Sequence, residues 1–113
     1  MPRGTMDWYL DYNQWLQGNN QPGAIVIRYS MPSGQHNGVN YRGTTRVAYL
    51  PNCLKGQQTL ALLVEAFKRK LTFIVGTSQT TGERNVVCWA GLHHKTSTSG
   101  GTNSFGWPDE TYF

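Results

Sequence analysis

The chain has 113 residues, room for one compact domain and too little for two. Only 14% of them are charged against 38% hydrophobic, and the formal charge of +4 is mild, which argues against charge-driven disorder and against a nucleic-acid surface built on charge alone. No apolar run approaches a membrane span, and the two cysteines cannot make a disulfide scaffold or a zinc cluster.

The first ten residues lack an apolar h-region and carry Asp7, so no signal peptide is expected. Free thiols in a reducing compartment, cytoplasmic or nuclear, are expected with it. Residues 4–16 hold Met6, Trp8, Tyr9, Leu10, Tyr12, Trp15 and Leu16 and read as an extended segment with a strand through Trp8. Residues 18–23, Gly-Asn-Asn-Gln-Pro-Gly, form a turn cluster. Residues 24–30, Ala-Ile-Val-Ile-Arg-Tyr-Ser, are β-branched, aromatic and bounded by turn signals, and predict a strand. Residues 31–44 read as a loop in which Asn37 and Gly38 can close a turn. A second short strand over 46–50 stops at Pro51 and Asn52.

Leu60, Leu63, Val64, Phe67 and Leu71 then recur at helical spacing, with Glu65, Lys68 and Arg69 mostly off the stripe. Asn52 is a candidate cap, and Gly56 blurs where the helix starts. Lys68, Arg69 and Lys70 fall in the predicted last turn. There they complement the helix dipole as an ordinary solvated end, or else form an anion site. Residues 72–75 and 85–90 predict two strands in a hairpin or near-hairpin, joined by the polar loop 76–82. From Gly91 onward the chain reads as loop, with a Ser/Thr/Gly tract. The fold class is α+β: one compact domain over residues 1–113, mostly antiparallel sheet, with one long amphipathic helix and long glycine-rich loops.

Three segments carry candidate chemistry. In the first, Gly76 allows close backbone approach and Thr77, Ser78, Thr80 and Thr81 offer hydroxyls, with Gln79 among them, a good design for phosphate or ribose contact. The loop lacks the GxxxxGK[ST] pattern, and an ordinary hairpin loop is the competing reading. The second is His93-His94-Lys95-Thr96. Adjacent side chains on an extended segment point opposite ways, so both imidazoles cannot readily ligate one metal, and no metal site is expected. One His is then a buried structural residue and the other faces a ligand, with Lys95 adding a cation for an anionic sugar. The third is aromatic: Trp89, Phe105, Trp107 and Tyr112 flank the histidines and can stack on a nucleobase or nicotinamide ring. Core packing is the competing role for Trp89. Cys88 reads as an inert core thiol, and no pattern supports a triad of Ser78, His93 and Asp109.

Taken in order, several stretches resemble one family. They are Arg-Val-Ala-Tyr-Leu-Pro-Asn at 46–52, the helix, Leu-Thr-Phe-Ile-Val-Gly-Thr-Ser at 71–78, Thr-Thr-Gly at 80–82, Val-Cys-Trp at 87–89, His-His-Lys-Thr at 93–96, and Gly-Trp-Pro-Asp at 106–109 with Tyr112. This series is similar to the C-terminal domain of the Deltex ubiquitin ligases, and the opening strands also fit. The resemblance implies a groove that binds ADP-ribose or NAD through Gly76, Thr77, Ser78, Gln79, Thr80, Thr81, His93, His94, Lys95, Thr96 and Trp107, with His93 the best catalytic candidate. It implies partners as well: ADP-ribosylated proteins or nucleic acids, and ubiquitin with its conjugating enzyme, reached through a RING domain. Cys53 and Cys88 cannot supply that RING, so it is expected in trans. Some members carry a His where Phe105 stands, and Phe cannot exchange a proton. A binding module is therefore the leading expectation. A catalytic component of ubiquitin transfer onto ADP-ribose and a single-stranded nucleic-acid binder are the alternatives.

Overall fold

The computed structural model describes residues 3–17, 23–36, 38–76, 84–90, 94–96, 101 and 106. Its organising element is the second strand. Ala24, Ile25, Val26, Ile27, Tyr29 and Met31 are buried, and only Arg28 and Ser30 reach solvent. A strand so apolar must be covered on both edges and at least one face. β1 (Thr5–Asp11) and β2 (Ala24–Met31) pair antiparallel, Trp8 opposite Ile27. β5 (Thr44–Pro51) flanks β2 on the other side, Ala48 opposite Ile27. The order β1-β2-β5 leaves β1 at the rim, mostly exposed, where Asp7 pairs with Arg28 at 3.6 Å.

Residues 31–44 form a hairpin rather than a plain loop. β3 (Gly34–His36) pairs with β4 (Val39–Tyr41), and His36 opposes Val39 across the two-residue Asn37-Gly38 connection. Of the expected turn, Gly38 lies between the strands with φ 78° and Asn37 is outside the described residues, while three-residue strands are too short for alternation to announce them. Gly43 closes the base of this hairpin: its N–H donates to Ser33 Oγ at 2.9 Å. A Cβ there would run into the Met31 carbonyl and the Pro32 backbone.

The helix α1 (Leu54–Lys68) follows β5 almost without a loop and packs against it. Cys53, not Asn52, is its N-cap, in an extended conformation and without a side-chain capping bond. The chain reverses so sharply that Cys53 N–H already donates to Pro51 O, and Gln57 N–H to Cys53 O, both at 2.9 Å. Gly56 makes that reversal possible. It is buried in the first helical turn, where a Cβ would collide with the Pro51 carbonyl. Leu60, Leu63 and Phe67 of the expected stripe join the core.

Leu71 does not, because the helix ends before it. Leu71 N–H donates to Ala66 O and Lys70 N–H to Phe67 O, both at 3.0 Å, the paired bonds of a Schellman C-cap. The left-handed position of that cap is Lys70, with φ 61°. Of the basic triplet, Lys68 alone lies in the last turn, Arg69 is the cap residue, and Lys70 lies beyond it. Arg69 pairs with Glu65 at 2.9 Å on the exposed face.

β6 (Phe73–Gly76) and β7 (Val86–Trp89) form the predicted hairpin, Phe73 opposite Trp89 and Gly76 opposite Val86. A parallel bridge at Arg42 ties it to the rest: Arg42 N–H donates to Asn85 O at 3.0 Å, and Val87 N–H to Arg42 O at 3.3 Å. Phe73 and Val87 bury themselves with Leu16, Ile27, Tyr29 and Leu50 in one core. The α+β class and the antiparallel character hold.

Two substitutions test the helix ends. Gly→Ala inside a helix ordinarily gains about 1 kcal/mol; Gly56→Ala is expected to lose about 1–3 kcal/mol in urea unfolding, because the added methyl has no room. Lys70→Gly is expected to gain about 1 kcal/mol by relieving the left-handed backbone.

Candidate functional site

The β6–β7 hairpin and the histidine segment meet at Tyr29. Alternation along β2 turns this ring inward on the same face as Ile25 and Ile27, where it is fully buried. Phe67 from α1 lies 5.5 Å away centroid to centroid, Phe73 from β6 5.1 Å, Trp89 from β7 5.8 Å, and His94 5.4 Å. Phe73, Trp89 and His94 all present to Tyr29 nearly edge to face, the favoured geometry for aromatic quadrupoles. Phe73 and Trp89 stack on each other at 4.7 Å, and Trp89 stacks on His94 at 4.3 Å, both at 28°.

His94 is buried. Its Nε2 shares a hydrogen bond of 2.8 Å with the Tyr29 hydroxyl. The next residue is fixed through its backbone: Tyr49 N–H on β5 donates to Lys95 O at 2.7 Å. Lys95 itself is completely buried, and its Nζ has no contact with solvent. Thr96 is exposed. The segment is therefore held against the sheet, with His94 filling the aromatic cluster.

At the other end of the hairpin, Gly76 closes β6 and is half-buried. Among the described residues, a Cβ built on it would meet Ile74 Cδ1 at 3.9 Å, an ordinary van der Waals distance. Thr77, Ser78, Gln79, Thr80, Thr81, His93 and Trp107 lie outside the described residues, as do Phe105, Asp109 and Tyr112. Gly106 is buried, and its N–H donates to Gly101 O at 2.9 Å. Trp89 is a partly buried core residue. Cys88 is half-buried with its Sγ 3.4 Å from Val86 O, whereas Cys53 is exposed.

Tyr29 is the residue that sequence reasoning missed. Its signal was present: a tyrosine in phase with Ile25 and Ile27 is a core tyrosine, and a buried phenol needs a polar partner. Nothing in the sequence pointed to that partner 65 positions away.

The fold is an α+β domain in which the His-Lys-Thr run at 94–96 is anchored to the sheet. The Deltex C-terminal domain matches residues 1–113, and the chain belongs to that family. Among individual proteins it is similar to the probable E3 ubiquitin-protein ligase DTX3 of Homo sapiens, 52% identical over 115 residues, covering 96% of this chain and 33% of that protein. The E3 ubiquitin-protein ligase DTX1 of Homo sapiens is 38% identical over 119 residues, covering 98% of this chain and 19% of its own length. DTX4 of Mus musculus matches to the same extent. The chain thus spans a third or less of the length of these curated relatives.

The aromatic cluster can be tested through Phe73, which touches both Tyr29 and Trp89. Phe73→Ala is expected to cost about 3–5 kcal/mol in chemical denaturation. Backbone amides of β6 and β7 are expected to lose most of their hydrogen-exchange protection.

Proposed function

We propose that this chain is a binding module for ADP-ribose or NAD, and that it presents ADP-ribosylated proteins or nucleic acids to a ubiquitin-conjugating machinery. The observation that supports this reading is the anchoring of His94, Lys95 and Thr96. A segment rich in hydrogen-bonding groups is held on the sheet by Tyr29 and Tyr49 and stacked against the same hairpin that carries the glycine-bounded loop at its tip. Such a ligand asks for backbone N–H groups and a cation at its pyrophosphate, hydroxyl or imidazole partners at its riboses, and an aromatic face for a ring. Gly76, at the end of β6, has no side chain to keep a ligand from its backbone. His93 and Thr96 are assigned to the riboses, residues 76–81 to the phosphates and Trp107 to a ring. His94 and Lys95 shape the groove from beneath.

The ubiquitin side of the proposal draws on the relatives, whose names describe E3 ubiquitin-protein ligases. The RING domain and the charged conjugating enzyme would come from elsewhere than residues 1–113. In that arrangement the module contributes the acceptor and its orientation, a proximity effect.

Calorimetric titration with ADP-ribose and with NAD is expected to give saturable binding. His93→Ala is expected to weaken it by about tenfold, the worth of one well-made hydrogen bond to a buried partner. No heat and no chemical-shift change at millimolar ligand would overturn the reading. Reconstitution with a conjugating enzyme, a separate RING protein and labelled NAD then decides whether the module also supports transfer.

A further inference from the structure

We propose that Tyr29 is the positioning residue of the histidine segment: its phenol sets where residues 94–96 lie on the sheet, and through them the affinity for a nucleoside-diphosphate sugar. The consequence for affinity rests on the ADP-ribose reading; the geometry does not.

Tyr29 is suited to the task because it cannot itself move. It sits in the central strand, paired to Met6 on one side and Arg46 on the other, with its side chain completely buried. Its hydroxyl lies 2.8 Å from His94 Nε2. The imidazole is held further by the parallel face of Trp89 at 4.3 Å and by the edge of the Tyr29 ring, inclined at 77°. One residue on, the Lys95 carbonyl takes the N–H of Tyr49 on the neighbouring strand at 2.7 Å. Two pegs on adjacent strands thus hold consecutive residues of the segment. Of these two bonds, the one to the phenol is the one a substitution can remove without disturbing a backbone.

The hydroxyl is also separable from the packing. Phe at position 29 would keep the contacts with Phe67, Phe73, Trp89 and His94 and delete the oxygen alone. What changes is the ring of His94. The bond couples the two groups: when the phenol donates, Nε2 accepts and Nδ1 carries the ring proton, and when Nε2 donates, the phenol accepts.

The experiment combines long-range proton–nitrogen spectra of the imidazoles with ADP-ribose titration. In ligand-free wild-type protein, His94 is expected in one neutral tautomer. Tyr29→Phe should leave the melting curve cooperative, move the His94 ring nitrogens and the amides of residues 94–96, and weaken ADP-ribose by about tenfold, as loss of a buried hydrogen bond does. In a His94→Ala background, Tyr29→Phe should then cost no further affinity, whereas His94→Gln, which keeps a polar atom within reach of the phenol, should retain most of it. Unmoved ring and amide signals in Tyr29→Phe would overturn the proposal. So would displaced signals with wild-type affinity, or an undiminished Tyr29→Phe effect without His94. A wild-type protein that binds neither ADP-ribose nor NAD would sink the ligand reading instead, and the ligand-free spectra alone would still decide the role of Tyr29.

Discussion

The burial of one tyrosine ring governs this molecule. Tyr29 is met by Phe67 of α1, Phe73 of β6, Trp89 of β7 and His94, four rings from four separate parts of the chain. None of these parts has a large apolar face of its own. The helix buries little beyond Gly56 and Leu63, and the hairpin is only four residues deep on each side. Each therefore depends on the shared centre for its docking, and the centre belongs to the strand with the most buried residues. The dispersion and hydrophobic terms concentrate where β2 already sits, so β2 templates everything packed upon it.

That arrangement explains the composition. Charged side chains are few because the structure uses them at its rim: Arg28 with Asp7, and Arg69 with Glu65, are exposed pairs worth well under about 1 kcal/mol each. The neutral polar and glycine residues have positional work. Gly43 and Gly56 stand where two backbones come together, at the base of the β3–β4 hairpin and at the reversal from β5 into α1. Among the described residues, Lys95 is the exception to the rule that charge stays outside. Such burial is rare for a lysine, and here it goes with a backbone tied to β5 through the Lys95 carbonyl.

The sequence was legible wherever one local rule acted alone. The β-branched run of β2, the stripe through Leu60, Leu63 and Phe67, and the β6–β7 pair were readable as elements because periodicity and turn chemistry agreed. It misled where a tertiary contact overrode the local pattern. Leu71 is in phase with the helix but follows a left-handed lysine, which no propensity scale favours there. Asn52 is a better capping residue than Cys53, yet the tight turn after Pro51 places Cys53 at the helix start. The β3–β4 hairpin escaped because strands of three residues each are too short for alternation to register. For the site, the His-Lys-Thr run and the glycine loop were visible as motifs. Their support was not, since the partner of His94 is fixed by packing between residues far apart in the chain.

Residues 94–96 are ordered by the fold itself, which bears on the proposed binding. A recognition loop that is disordered before binding loses conformational freedom when it closes, at about 0.5–1.5 kcal/mol for each side chain immobilised. Here His94 is stacked and hydrogen-bonded, Lys95 is enclosed, and the backbone between them is tied to β5 before any ligand arrives. The ordering was done during folding and drew on the same aromatic cluster that holds the helix and the hairpin. A ligand that engages this segment meets groups already in place, and the affinity it gains is tied to the stability of the core. Changes at Tyr29 or Trp89, which pack in that core, are thereby expected to reach the surface proposed to bind the ligand.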